Sequence, residues 1–268
     1  MILSATANPC TFEQNQGILV DEIRGRPVEG DIFFLHGWGG SRDSLRELAG
    51  LFEGSYRIHL IDLPGFGEAP PPPLEWGTTD YAEHLAEYLT KSDATRVLLV
   101  GHSFGGRLAI RIAGRRTPAV DGLVLMGVPG LPAERFSSRS IRRAMIRGLR
   151  RVFKLLEPIT GPGPMNWHTS RFGSKDYLNA GRLRTLLVRT VNEDLSDPAK
   201  AVSCPALLIW GGEDRETPPG LAQRYRRLLG GKTVLSILPH KDHFPFQGTG
   251  AHLCAFKIRS WLAANADK

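Results

Sequence analysis

Gly101-His102-Ser103-Phe104-Gly105-Gly106 contains the pattern G-x-S-x-G, and its flanks decide how it is read. Before it, the run from Arg96 to Gly101, with Val97-Leu98-Leu99-Val100 at its centre, predicts a buried strand. After it, Leu108, Ile110, Ile112 and Ala113 form the apolar set of a helix expected from Phe104 to about Arg116. A serine between strand and helix sits on a sharp turn that forces its backbone into a strained conformation. Small flanking residues, here Gly101 and Gly105, prevent clashes at such a turn. Its hydroxyl then stands at the carboxyl end of the sheet, facing a helix N-terminus. In a chain with 30 glycines the pentapeptide alone could equally be a tight turn with a solvated serine. The strand and helix around it favour a nucleophile.

Outward from this turn, short β-rich runs alternate with helical ones, the pattern of a parallel sheet covered on both faces. Asp31–His36 predicts a buried strand ending at Gly37, and Ser41 is placed to cap a helix carrying Leu45, Leu48, Ala49 and Phe52. Tyr56–Asp62 is the next strand. The run Pro70–Pro73 has to be an extended loop, because proline neither donates to a ladder nor continues a helix. A helix over about Thr79–Lys91 and strands at Gly122–Gly127, Ala206–Trp210 and Thr233–Leu238 follow. The final helix carries Leu253, Phe256, Ile258, Trp261 and Leu262, and Ile18–Arg24 is expected to add antiparallel edge strands.

One interruption, from about Leu131 to Ala201, is too long for a plain loop and is expected to be a folded insertion. Ile141, Met145, Leu149, Val152, Phe153 and Leu156 fall on one helical face, and a second helix is expected near Ala180–Val191. The insertion also holds the charge. The chain carries 34 Lys+Arg against 27 Asp+Glu, a net of +7; residues 131–200 hold 14 basic and 6 acidic residues, leaving 20 and 21 elsewhere. Arg135–Lys154 alone has eight basic residues and no acidic one.

A length of 268 residues with 41% hydrophobic and 23% charged residues excludes a disordered or fibrous chain. No apolar run is long enough to span a bilayer. The start, Met1-Ile2-Leu3-Ser4-Ala5-Thr6, lacks the basic and apolar regions of a secretory signal. Cys10, Cys204 and Cys254 are few, odd in number and widely spaced, which fits neither a disulfide framework nor a CxxC metal pattern. A reduced cytoplasm is the expected setting.

With these residues in view, the chain resembles an α/β-hydrolase-fold protein along nearly its whole length. The landmarks are His36-Gly37-Trp38-Gly39-Gly40, Asp62-Leu63-Pro64-Gly65-Phe66-Gly67, the Ser103 turn, Gly211-Gly212-Glu213-Asp214 with Pro218, and Lys241-Asp242-His243-Phe244-Pro245. The resemblance implies an α/β fold of the mostly parallel, eight-stranded type with helices on both faces. Residues 1–130 and 201–268 would form the core, and 131–200 a helical, basic cap where the family places one.

The chemistry follows. A serine hydroxyl needs a base to take its proton and a third group to orient that base. Family order places the acid and then the histidine after Ser103. His243 matches the resemblance, with His240 as its rival and His252 expected inside the last helix; Asp242 stands where many relatives have glycine. Asp214 matches as the acid, and Val128-Pro129-Gly130 offers no carboxylate after the preceding strand. Glu213 and Glu216 are expected to be solvated neighbours. The N–H groups of Phe104 and Trp38 are the candidate oxyanion donors. His36 and Gly37 are expected to support that loop. Trp38, Phe104, Trp167 and Phe244 are candidates for an acyl pocket or for core.

The resulting expectation is a serine hydrolase that cleaves a carboxylic ester or related acyl bond, with no metal or organic cofactor implied. Thioester and carbon–carbon bond hydrolysis share the triad, whereas epoxide and haloalkane hydrolysis need a carboxylate at the Ser103 position. A non-catalytic or partner-binding protein on the same scaffold is the rival from another class. The partner expected in every enzymatic case is a small acyl substrate. The basic segment suits an anionic substrate, an acidic carrier protein or an anionic membrane, or is a solvated helix face with arginine stems on apolar surface. Nucleic acid is not expected, because no recognition motif accompanies the charge.

Overall fold

The computed structural model of the chain describes residues 18–23, 29–115, 119–132, 153–155, 157–158 and 175–265. Strands β1 (Leu19–Ile23), β2 (Asp31–Leu35), β3 (Arg57–Asp62), β4 (Val97–His102), β5 (Gly122–Met126), β6 (Ala206–Gly211) and β7 (Thr233–Leu238) form one sheet in the order β1-β3-β2-β4-β5-β6-β7. Among the described strands only β1 is antiparallel, pairing with β3; every other neighbouring pair is parallel. The described residues thus supply seven strands. The region read as edge strands contributes one of them.

Helices among the described residues include α1 (Arg46–Gly50), α2 (Thr78–Lys91), α3 (Phe104–Ala113), α4 (Lys175–Asn179), α5 (Arg184–Val191), α6 (Ser196–Ala201), α7 (Pro219–Leu228) and α8 (Thr249–Ala263). Successive strand residues point to opposite faces, so the apolar strands build two cores. Phe33, Leu35, Leu99, Leu125, Leu208 and Trp210 pack on one face with Phe104 and Leu108 of α3 and Tyr225 of α7. Ile32, Phe34, Val100, Val124 and Ile209 pack on the other with Leu48 of α1 and Ile258 of α8.

Several expectations shift. The chain enters α1 through a 3-10 turn at Arg42–Leu45, where the Ser41 N–H donates to Ser44 Oγ at 3.0 Å. The predicted face of α8 is rotated: Leu253 and Phe256 are exposed, while the small residues Ala251, Cys254 and Ala255 allow close approach to the sheet alongside Ile258 and Trp261. The helix expected near Ala180–Val191 is a 3-10 turn at Gly181–Leu183 followed by α5. The helix expected over 141–156 lies almost wholly outside the described residues, as do Cys10 and Trp167. Among the described residues no helix is long and apolar enough to cross a membrane.

Topology decides where a ligand can sit. The chain runs from β2 outward to β3, then crosses back to place β4 on the other side of β2. Loops leaving the carboxyl ends of β2 and β4 therefore diverge and open a crevice between them. Residues 36–40 and Ser103 lie on those two loops.

Candidate active site

Ser103 joins β4 to α3 with φ 47° and ψ −106°, a left-handed conformation that disfavours any residue with a Cβ. Such a backbone costs about 1–3 kcal/mol and persists only where its surroundings enforce it. Here the Ser103 N–H donates to the carbonyl of Met126 at 2.9 Å, and the Gly105 N–H to that of His36 at 3.0 Å. The turn is tight enough to exclude side chains. A Cβ on Gly105 would lie 2.2 Å from the Leu35 carbonyl oxygen, and one on Gly101 would lie 2.6 Å from the Gly106 Cα. Phe104 opens α3, so its N–H is among those without an intrahelical acceptor. Its ring is buried in the core, edge-on to Trp38 at 5.5 Å.

His36 ties the neighbouring loop down. Its Nδ1–H donates to the Gly37 carbonyl at 2.8 Å, and its Nε2 accepts the Leu63 N–H at 3.1 Å. Burial lowers its pKa, which suits the neutral ring that this pair of bonds requires.

Asp214 follows β6 and is almost fully buried. Its Oδ2 accepts from His243 Nδ1 at 2.9 Å and from the Thr217 hydroxyl at 2.6 Å. Its Oδ1 accepts the N–H groups of Thr217 at 2.8 Å and Glu216 at 2.9 Å. Burial alone would push this carboxyl up; the bonds from His243 and Thr217 outweigh it and hold the pKa below the usual value. His243 is opposite in sign. Burial lowers its pKa, but the bond to Asp214 and the charges of Asp214, Glu216 and Asp242 raise it above the ordinary histidine value. A neutral imidazole is therefore recovered only as pH rises through that raised value.

The structure brings Ser103, His243, Asp214 and the 36–40 loop to one end of the sheet. A Cβ on Gly37 would stand 3.4 Å from Ser103 Cβ, and one on Gly127 would stand 3.0 Å from the His243 ring. His240 is not part of this group: it is exposed, and its Nδ1 lies 3.1 Å from Glu213. His252 is exposed on α8. Glu216 departs from its expectation as a merely solvated neighbour. Its side chain is largely exposed, yet Oε2 lies 3.5 Å from His243 Nε2.

Two groups at the site escape the sequence reading, Thr217 and His102. Thr217 stood within Asp214-Arg215-Glu216-Thr217-Pro218, where a hydroxyl three residues after an acid is a usable turn signal.

Beside Trp38 and Gly39 lies a cavity of about 600 Å³, also lined by Phe66, Asp176, Arg182 and Leu183. Its polar side chains, Asp176, Asn179 and Arg182, come from residues 176–182, and its aromatic wall is Trp38 and Phe66. Another cavity of about 560 Å³, between the proline run and α2, is lined by none of the site residues above.

Residues 32–252 match the model of the alpha/beta hydrolase family. The chain belongs to this family. This α/β hydrolase is 26% identical to a pimeloyl-[acyl-carrier protein] methyl ester esterase of Chromobacterium violaceum, over 81% of the chain and 88% of the relative. It is 35% identical to a 2-succinyl-6-hydroxy-2,4-cyclohexadiene-1-carboxylate synthase of Salmonella typhimurium, over 44% of the chain and 46% of that relative. Among solved structures, an esterase from Exiguobacterium antarcticum superposes with a TM-score of 0.68 at 20% identity, covering 92% of this chain and 95% of the other.

Proposed function

We propose that this α/β hydrolase cleaves carboxylic esters through an acyl-enzyme on Ser103. The observation that carries the reading is the buried Asp214–His243 hydrogen bond of 2.9 Å at the same sheet end as the strained Ser103 turn. In the first step His243 Nε2 takes the Ser103 proton as Oγ attacks the ester carbonyl, and Asp214 stabilises the imidazolium. The N–H groups of Phe104 and Trp38 receive the negative charge on the carbonyl oxygen. Collapse expels the alcohol, which takes the proton from His243 and leaves the acyl group on Ser103. Water, deprotonated by His243, attacks that acyl group; the acid departs and Ser103 recovers its proton. The proposed roles are nucleophile for Ser103, base for His243, acid for Asp214 and oxyanion donors for Phe104 and Trp38.

The acyl chain of the substrate is proposed to occupy the cavity beside Trp38, under a cap formed by residues 131–200. A +8 balance in that insertion, against −1 elsewhere, supports an anionic approach surface. With a relative named for an acyl-carrier-protein ester, we take an acyl chain borne by an acidic carrier protein as the substrate class. The scattered cysteines fit a reducing, cytoplasmic setting.

The test compares p-nitrophenyl butyrate with a methyl ester of a dicarboxylic acyl chain attached to an acyl carrier protein, at about 20 mM and about 0.5 M NaCl. Both esters are expected to be hydrolysed. KM for the carrier-borne ester should rise by about tenfold or more with salt, while that for the aryl ester stays within about twofold. No turnover of either ester would sink the hydrolase reading. A salt-independent KM for the carrier-borne ester would sink the carrier alone.

A further inference from the structure

His102 immediately precedes Ser103, is only 3% exposed and takes no part in the proton transfers above. It closes β4, so it shares the rigid strand end from which the Ser103 turn departs. Its Nε2 lies 2.9 Å from the main-chain oxygen of His243, 141 residues along the chain. A carbonyl only accepts, so Nε2 carries the proton and donates. Burial, helped by the neighbouring His243, pushes the His102 pKa down to about 3, which leaves Nδ1 unprotonated at ordinary pH. That nitrogen faces the loop after β2, where a Cβ on Gly37 would lie 2.7 Å away. The ring also packs against His243 at 4.9 Å, Phe244 at 5.2 Å and Phe246 at 4.9 Å.

One imidazole therefore touches the strand end before the nucleophile, the loop carrying Trp38 and the loop carrying His243. A leucine would fill much of the same space without the cost of burying a polar ring. What the imidazole adds is a single directed hydrogen bond. His243 lies between β7 and α8, and its bond to Asp214 constrains the ring at Nδ1 but not the main chain that carries it. We propose that His102 is a positioning residue: by donating to the His243 carbonyl it fixes that loop against β4 and sets where the His243 imidazole stands relative to Ser103 Oγ. The inference rests on the Ser103–His243–Asp214 reading. Its sphere is kcat, because the acyl cavity is lined by other residues.

Two variants and one control test it on p-nitrophenyl butyrate. His102→Leu fills the space without a donor, while His102→Gln carries a side-chain N–H close to the Nε2 position. The Leu variant should lose about ten- to a hundred-fold in kcat with KM within about twofold, the scale produced by misplacing a reacting group by about 1 Å. The Gln variant should recover kcat to within about fivefold of wild type. Wild-type kcat in His102→Leu overturns the proposal. So does a loss that Gln fails to recover in a protein whose thermal unfolding shows it is folded. If the Leu variant does not fold, the Gln variant decides alone: near-wild-type kcat supports the role, and collapsed kcat in folded protein removes it. Ser103→Ala separates the two readings. Full activity there removes the catalytic assignment, whereas an inactive Ser103→Ala beside an unimpaired His102→Leu removes only the positioning role.

Discussion

Ser103→Ala is expected to lower kcat for p-nitrophenyl butyrate by about 10⁴-fold or more, leaving only the residual catalysis that binding and oxyanion stabilisation supply. The substitution removes one oxygen and little else. The strained backbone is held by the Ser103 N–H to Met126 and by the glycines packed behind it, none of which involves the hydroxyl. Alanine bears the same Cβ as serine, so the cost of the positive φ does not change. The variant should unfold at nearly the wild-type temperature. A kcat within about tenfold of wild type would mean that another group attacks the ester.

Asp214→Asn should be nearly as damaging, with a loss in kcat of about 10⁴-fold and little change in fold. The loss depends on which way the amide must point. Oδ1 accepts two main-chain N–H groups, from Thr217 and Glu216. These are donors that cannot turn round, so the amide oxygen of asparagine has to face them. The NH₂ then takes the place of Oδ2 and faces His243 Nδ1, while the Thr217 hydroxyl can rotate to accept. An Nδ1 that must accept forces the proton onto Nε2, the nitrogen proposed to receive the Ser103 proton. The base is held in the wrong tautomer and also loses the charge that stabilises its protonated form. Steady-state kinetics together with thermal unfolding check this. A folded Asp214→Asn enzyme within about tenfold of wild-type kcat would remove Asp214 from the proposed triad.

How much of this was legible in the sequence depended on range. The strand before Ser103 and the helix after it are local apolar patterns, and β4 and α3 follow them to within one to three residues. Asp214 and His243 came from family order, because nothing in either segment alone states that two loops 29 residues apart share a hydrogen bond. His102 escaped the reading for the same reason at greater range. A histidine at a strand end looks like any core residue until its partner, the His243 carbonyl, is known. Glu216 was read as solvated and is indeed exposed, yet it faces Nε2; exposure is a property of a residue, whereas facing is a property of two. The large apolar residues of the last helix do not mark its buried face, since Leu253 and Phe256 are exposed. The sheet selects Ala251, Cys254 and Ala255 because they let the helix backbone come close.

The electrostatic frame also divides along the chain. Among the described residues, Glu193 of the 131–200 segment accepts from Arg107 and Arg111 of α3, and Asp31 of β2 accepts from Arg57 and His59 of β3. The positive excess lies in residues 131–200, and under the proposed function it bears on what approaches the site more than on the bond broken there.

The most direct measurement is covalent. The enzyme is incubated with a p-nitrophenyl alkylphosphonate, which an activated serine attacks with release of p-nitrophenol, and the labelled protein is mapped by peptide mass spectrometry. A single adduct on Ser103, absent from Ser103→Ala and strongly slowed in Asp214→Asn, is the expected result. An adduct on another residue, or none in an enzyme that still turns over esters, would contradict the assignment of Ser103 as nucleophile.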